Sequence, residues 1–323
     1  MAETEFELFN NQLLQQVVGA GNAHISIIEE ALNVEIETIG NHIRIKGEEE
    51  SCRDAKEAIE AIYSKVSRGI SVGEQEVRAA VRMNKGDISK DKKADMNNIV
   101  LKTKKRHIYP RSQTQAQYIM EMMNNELVFG LGPAGTGKTY LAVALAVSMM
   151  LEGLIDKIIL SRPAVEAGEN LGFLPGDLKE KVDPYLRPLY DALYEMLPTE
   201  QVDKKLAIGE IEIAPLAFMR GRTLSNAFII LDEAQNTTPM QMKMFLTRLG
   251  ENSRMVVNGD LSQIDLPRGN VSGLKDALST LHNIKGISAV TFNADDVVRH
   301  GLVAKIVRAY EQKNKEEHDR NQD

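Results

Sequence analysis

Residues 132–139 read GPAGTGKT and follow an apolar stretch at 127–130. They match the pattern G-x-x-x-x-G-K-[ST] in full, and a long helix-forming segment begins at Thr139. Glycines at this spacing let backbone N–H groups turn inward around phosphates, and the helix start adds partial positive charge. A strand before the loop and a helix after it therefore predict a nucleotide-binding loop. We expect it to consist of Gly132, Pro133, Ala134, Gly135, Thr136, Gly137, Lys138, Thr139 and Tyr140.

Two side chains of this loop have predicted roles in phosphate chemistry. Lys138 is expected to reach the β- and γ-phosphates and to serve catalysis, and the Thr139 hydroxyl is expected to bind Mg²⁺. ATP and Mg²⁺ are therefore the predicted ligands.

Apolar runs alternate with helical patterns on either side of the loop, over residues 109–312. Such alternation predicts an α/β fold with a parallel sheet flanked by helices, here a P-loop NTPase fold of the RecA-like type. The functional loops should then lie at the carboxyl ends of the strands. The predicted strands are 127–130, 157–161, 212–216, 227–231, 254–258 and 287–292.

An acidic pair ends one of these strands. Asp232 and Glu233 follow the apolar run 227–231. Asp232 is predicted to hold Mg²⁺, directly or through water, and Glu233 to orient and polarise the attacking water. The pair is a weak signal alone but a strong one downstream of a complete phosphate loop.

Two further polar positions are candidates for the same site. Gln263, in the GDLSQ segment after strand 254–258, is expected to sense the γ-phosphate, and Asp260 to support the metal from the second coordination shell. Gln115 lies upstream of the loop, and its amide has a donor and an acceptor that suit adenine.

The first 70 residues form a separate small α+β domain in the order strand, helix, helix, strand, strand, helix, with the first strand placed near 6–9. This order resembles KH domains, which clamp a nucleic-acid backbone with a GXXG loop. Here the loop at 19–22 reads GAGN, so Asn22 replaces the last glycine. Two interpretations stay open, an RNA-binding KH-like domain and a structural or assembly domain. The other predicted boundaries are a charged linker at 71–108, the P-loop domain at 109–312 and a disordered tail at 313–323.

Composition limits the classes of function. The chain has 323 residues and a net charge of -7, so any RNA binding must depend on a local basic patch. Its single cysteine, Cys52, fits a reducing compartment, and its apolar runs are too short to span a bilayer. We expect a cytoplasmic protein with no membrane partner.

With these residues assembled, the chain resembles the PhoH family of bacterial cytoplasmic ATPases, which are related to the nucleotide-binding lobe of superfamily-one helicases. The resemblance implies ATP binding at the motif residues, a link to RNA, and a partnership with the endoribonuclease of ribosomal RNA maturation. It also distinguishes Gln115 from neighbouring glutamines as the adenine contact, since it stands three residues before Tyr118. The motifs that carry the resemblance lie at 132–142, 161–193, 229–250, 258–267 and 297–310.

Helicases related to this family close the ATP site with an arginine from a second lobe, and this chain has room for one lobe only. An arginine acting in trans would then come from another subunit or a partner. The candidates are Arg220, Arg222, Arg248 and Arg299, and we expect a ring-like homo-oligomer with Arg248 or Arg299 in this role. Arg162 ends strand 157–161, and its position in related helicases suggests that it faces nucleic acid.

Two functions compete at this point. The first is an ATP-hydrolysing protein that remodels RNA, with helicase activity left open. The second is a slow nucleotide-dependent switch that regulates a partner endoribonuclease. A small-molecule kinase is disfavoured, because no acceptor pocket or lid pattern accompanies the loop.

Overall fold

The computed structural model describes residues 2–85, 96–163, 178–267 and 269–298. The predicted tail at 313–323 and Arg299 lie outside the described residues.

The N-terminal domain contains a three-stranded antiparallel sheet in the order β1-β3-β2, covered by helices. The predicted element order is correct, but the first strand lies earlier than predicted: Phe9 is 95% exposed, and the alternating sequence before it pairs with β3. The elements are β1 (Ala2–Glu7), α1 (Asn11–Val18), a 3₁₀ turn (Ala20–Asn22), α2 (Ala23–Leu32), β2 (Glu35–Ile39), β3 (His42–Gly47) and α3 (Glu49–Ser67).

A helix occupies part of the segment predicted as a charged linker. Helix α4 (Glu74–Asn84) packs against α2 and α3, and its Val77, Ala80 and Val81 are buried in the N-terminal core. The first part of 71–108 is therefore a helix of the N-terminal domain and not a linker. Small apolar residues on one face of this helix supply enough buried surface for it to pack on that domain.

The larger domain contains the predicted six-stranded sheet in the order β11-β6-β10-β9-β7-β8, with every pair parallel. All six predicted strands are confirmed to within one residue at each end. The strands are β6 (Leu127–Leu131), β7 (Lys157–Arg162), β8 (Ile211–Pro215), β9 (Ala227–Leu231), β10 (Arg254–Gly259) and β11 (Ile287–Thr291), preceded by a small pair of strands, β4 (Leu101–Lys102) and β5 (His107–Ile108).

Helices cover both faces of this sheet, as strands buried on two sides require. Alternate residues of β9 show the division: Phe228 and Ile230 belong to the core under α5, α6 and α7, whereas Ile229 and Leu231 belong to the core under α9 and α10. The helices are α5 (Gln113–Asn124), α6 (Lys138–Leu151), α7 (Leu178–Met196), α8 (Thr199–Ala207), α9 (Pro239–Leu246) and α10 (Gly273–Leu281).

Arg111 and Gln113 connect the two domains. The Arg111 guanidinium donates to Gln75 Oε1 over 2.9 Å, and the Gln113 amide donates to the main-chain carbonyl of Met83 over 3.0 Å. Helix α4 is thereby attached to the start of α5, just ahead of the phosphate loop.

Candidate functional site

The phosphate loop joins β6 to α6 and depends on glycine at positions that no other residue fits well. Gly132 has a φ of 134°, and a Cβ placed there would overlap the main-chain carbonyl oxygen of Phe292. Gly137 has a φ of 85° immediately before α6, so the chain turns directly into the helix. The start of α6 therefore faces the loop, as anion binding requires.

The Lys138 side chain is folded back over the loop and is only 9% exposed. Its ammonium donates to the carbonyls of Gly132, over 2.7 Å, and Pro133, over 2.8 Å. Burial lowers the pKa of Lys138, and the nearby carboxylates of Asp232, Asp260 and Glu233 oppose that shift. A buried ammonium next to an array of loop N–H groups is a site for phosphate oxygens.

Asp232 follows β9 and is joined to the phosphate loop. The Thr139 hydroxyl donates to Asp232 Oδ1 over 2.5 Å. The other carboxylate oxygen, Oδ2, accepts from Arg162 Nε over 2.8 Å. Thr139 and Asp232 are thus brought together as predicted. Arg162, which sequence reasoning expected to face nucleic acid, instead lines the cleft beside Asp232.

Glu233 has a left-handed backbone, with φ 54° and ψ 37°, a conformation that costs a residue with a side chain about 1–2 kcal/mol. Strain of this kind at a strand end often accompanies function. The carboxylate is 45% exposed and is held at both oxygens. Oε1 accepts from Arg162 over 3.0 Å, and Oε2 accepts from the Gln235 amide over 2.7 Å.

Asp260 follows β10, the strand between β6 and β9, and is buried. Ser262 donates to its Oδ1 from both the backbone N–H and the hydroxyl, over 2.9 and 2.6 Å. Its Oδ2 is buried and has no hydrogen-bond partner within the described part of the chain. A buried carboxylate oxygen without a partner, on a residue that lines the cleft, is suited to a cation or to its water ligands.

These groups line one cleft of about 390 Å³ at the carboxyl ends of the strands. Gln263 lines the same cleft, as predicted from the GDLSQ segment. Asp191 and Glu195 of α7 form a further wall that sequence reasoning missed. They belong to an amphipathic helix whose sequence has no pattern specific to phosphate chemistry, and only the packing of α7 against α6 shows their place.

A second cavity of about 480 Å³ adjoins the first and shares Tyr140 and Gly137 with it. Gln115 lines this cavity and is 4% exposed. Its Oε1 accepts from the Arg111 backbone over 2.7 Å, and its Nε2 donates to the Thr136 carbonyl over 2.9 Å. Gln115 therefore lies beside the phosphate loop, where the base of a nucleotide would extend.

Arg248, a predicted trans-acting arginine, is engaged within its own chain. Its guanidinium donates to the Met244 carbonyl over 2.9 Å, to the Arg222 carbonyl over 2.8 Å and to Thr247 Oγ1 over 3.0 Å. These contacts connect the end of α9 to the loop before β9 and give Arg248 a structural role. Arg299 lies outside the described residues.

The oxygen ligands at Thr139 and Asp232 fit a magnesium ion. Mg²⁺ prefers hard oxygen ligands and takes only one or two from the protein, with phosphates and water completing its shell. Thr139 and Asp232 lie beside each other, and Asp260, which has an unpartnered buried oxygen, lines the same cleft. Within the described ranges no cluster of three His, Cys, Asp or Glu side chains forms a separate metal site.

The parallel sheet, the phosphate loop that opens α6 and the acidic ends of β9 and β10 define a P-loop nucleotide-binding protein of the ATPase type. The model of the PhoH family, described as PhoH-like protein, matches residues 107–311. The chain belongs to the PhoH family, so the resemblance noted from its motifs is confirmed.

Curated relatives match most of the chain. A PhoH-like protein of Bacillus subtilis (strain 168) is 49% identical over 318 residues, which cover 96% of this chain and 100% of that protein. A PhoH-like protein of Mycobacterium tuberculosis (strain ATCC 25618 / H37Rv) is 47% identical, covering 92% of this chain and 85% of its own length. Protein PhoH of Escherichia coli (strain K12) is 47% identical over 205 residues, 63% of this chain and 58% of that protein. None of the described helices is long and apolar enough to cross a membrane.

Proposed function

We propose that the protein binds Mg·ATP in this cleft and hydrolyses it, and that turnover is coupled to RNA. The observation that carries the proposal is the joining of Thr139 to Asp232, with Glu233 next to them on the same strand end. Two adjacent oxygen ligands suited to a metal ion, with a carboxylate beside them at the mouth of the phosphate loop, support this proposal.

Different residues of the chain bind the phosphates, the base and the metal ion. Lys138 exchanges the loop carbonyls for phosphate oxygens, and Gln115 contacts the base. Mg²⁺, when bound, neutralises charge on the β- and γ-phosphates and is held by Thr139 and Asp232.

Glu233 is the residue that activates water. Its carboxylate orients a water molecule for in-line attack on the γ-phosphorus and accepts a proton as the new P–O bond forms. The bond from the γ-phosphorus to the bridging oxygen breaks, and that oxygen leaves as part of ADP. Gln263 lies in the same cleft and registers the release of inorganic phosphate.

The N-terminal domain is the proposed contact for RNA. In its loop at 19–22, Gly21 and Asn22 are both left-handed and both exposed, with φ values of 60° and 61°. Asn22 therefore adopts the backbone that the usual glycine of a KH loop would supply. The 3₁₀ turn at 20–22 is exposed and is the surface on which such a loop would hold a nucleic-acid backbone.

ATP hydrolysis by the wild type and by Glu233→Gln, each with and without single-stranded RNA, tests the proposal. We expect Mg²⁺-dependent turnover that falls by about 10²-fold or more in the variant, because a water-orienting carboxylate is lost. Glu251→Gln makes the same chemical change at an exposed site far from the cleft and should leave turnover unchanged.

The RNA arm of the experiment separates the two competing functions. Stimulation of turnover by RNA supports remodelling, and its loss in a variant of the 19–22 loop would locate the contact. Slow turnover that ignores RNA supports the alternative switch acting on a partner endoribonuclease. Unchanged hydrolysis in Glu233→Gln would contradict the role of that residue.

A further inference from the structure

Arg162 ends β7, which is the direct neighbour of β9 in the sheet. Ser161 is paired with Leu231 in the register, and the Asp232 backbone N–H donates to the Ser161 carbonyl over 2.9 Å. The sheet itself therefore places the Arg162 side chain opposite Asp232 and Glu233.

The guanidinium of Arg162 bridges both carboxylates at once. It donates from Nε and Nη2 to Asp232 Oδ2, each over 2.8 Å, and from Nη2 to Glu233 Oε1 over 3.0 Å. The Arg162 side chain is 17% exposed and that of Asp232 is 7% exposed, so the pair between these two is only weakly screened by water. The planar guanidinium makes these contacts from two nitrogens in a fixed geometry, which the single ammonium of a lysine does not reproduce.

This bridge conflicts with the metal site. Asp232 is the carboxylate that the proposed function assigns to Mg²⁺, and the Arg162 charge already occupies one of its oxygens. Two cations that share one partly buried carboxylate repel each other strongly. Arg162 also lines the same cleft as Lys138, so it has phosphate oxygens as alternative partners once it leaves Asp232.

We propose that Arg162 is a positioning residue that competes with Mg²⁺ for Asp232 and, through the same guanidinium, sets the direction of the Glu233 carboxylate. The inference rests on the proposed ATPase function. In the resting site Arg162 occupies both acids. When Asp232 turns to the metal, the contact to Glu233 remains and aligns that carboxylate for the attacking water. Arg162 thus supplies a guanidinium to the cleft from the same chain, whereas the sequence had predicted an arginine from another subunit.

The test compares Arg162→Met and Arg162→Lys with the wild type in two measurements. The first is binding of a fluorescent non-hydrolysable ATP analogue as a function of Mg²⁺ concentration. The second is the steady-state kcat for ATP. Arg222→Met is the matched control, since Arg222 makes a two-pronged ion pair with Glu212, over 2.6 and 2.7 Å, away from the residues that line the cleft.

Opposite shifts in the two measurements are expected for Arg162→Met. The Mg²⁺ concentration for half-maximal binding should fall by roughly threefold to tenfold, because a competing charge is gone. Turnover should fall by about tenfold or more, because Glu233 loses its alignment. A damaged fold would weaken both binding and turnover, so this split distinguishes positioning from a structural role. Arg222→Met should match the wild type in both.

Arg162→Lys decides the question if the methionine variant does not fold. It keeps the charge, so its Mg²⁺ dependence should stay near that of the wild type. Its ammonium lacks the fixed planar geometry that aligns Glu233, so kcat should fall. An unchanged or raised half-saturating Mg²⁺ concentration in Arg162→Met would overturn the proposal. So would a wild-type kcat in either variant. If the wild type binds the ATP analogue but does not hydrolyse ATP, the ATPase assignment fails instead, and the Mg²⁺ dependence of binding still tests the competition.

Discussion

The Thr139 hydroxyl donates to Asp232 Oδ1 over 2.5 Å, although the two residues are 93 positions apart in the chain. The contact connects the start of α6 to the end of β9 across the intervening strand β10. It brings two candidate oxygen ligands for one cation side by side. The expectations that follow depend on this arrangement of the cleft.

Gln115 should determine the preference for the nucleotide base. Beyond its bonds to Arg111 and Thr136, its amide has one N–H and one oxygen lone pair left for a base. Gln115→Ala should weaken ATP binding by about tenfold and reduce discrimination against GTP, because buried polar partners lose their contacts. Gln117→Ala, at an exposed position of the same helix, is the control and should bind both nucleotides normally. Equal effects of the two substitutions would rule out a specific contact.

Asp260 should influence the magnesium requirement in the opposite sense to Arg162. Asp260→Asn keeps an oxygen for the two Ser262 contacts but removes the negative charge of the buried, unpartnered Oδ2. The Mg²⁺ concentration for half-maximal binding of the ATP analogue should rise by about tenfold or more, because loss of a residue that supports the metal from the outer coordination shell weakens metal binding by about that factor. Asp265→Asn, at an exposed position, serves as the comparison and should leave this Mg²⁺ concentration unchanged. A normal Mg²⁺ dependence of Asp260→Asn would remove Asp260 from the site.

Nucleotide binding should take up protons at alkaline pH. Burial lowers the pKa of Lys138 below its ordinary value of 10.5, and phosphate oxygens raise it again. Between the lowered pKa of the free protein and the raised pKa of the complex, binding adds a proton to Lys138, so affinity falls as pH rises through that window. Calorimetry of ADP binding in buffers of unequal ionisation enthalpy measures this uptake. Lys138→Arg, which stays charged, should bind without it, and equal uptake in that variant would assign the proton elsewhere.

Arg248 should contribute to stability and have little effect on catalysis. Arg248→Ala removes three hydrogen bonds within the chain and should lower the free energy of unfolding by about 1–3 kcal/mol. Turnover per folded molecule should equal that of the wild type. Arg220→Ala, at an exposed site, should change stability by less than about 0.5 kcal/mol. A fully folded Arg248→Ala protein that has lost turnover would instead support the trans-acting arginine.

Much of the larger domain was predictable because its signals are local. The apolar runs that became β6, β7, β9 and β10 are buried on both faces, and the phosphate loop and the Asp232–Glu233 pair stand directly at strand ends. The role of Arg162 was not predictable from such signals. It depends on β7 lying beside β9, a neighbour relation that the order of elements along the chain does not specify.

The N-terminal errors have a similar physical origin. Helix α4 buries small side chains such as Ala80. Its sequence is rich in charged residues, so the apolar face that joins the core is hard to recognise from the sequence. Strand β1 alternates acidic with apolar and small residues, and its pairing to β3 supplies the stability that the sequence alone does not show.

The position of Arg111 has a thermodynamic consequence. Its backbone N–H holds Gln115 beside the phosphate loop, while its side chain contacts Gln75 and Glu76 of α4. Any molecule that displaces α4 when it binds the N-terminal domain must therefore change the affinity of the distant cleft for nucleotide. Linkage is reciprocal, so ATP changes the affinity for that molecule by the same factor. Arg111 thus couples binding of that molecule at the N-terminal domain to binding of nucleotide in the cleft.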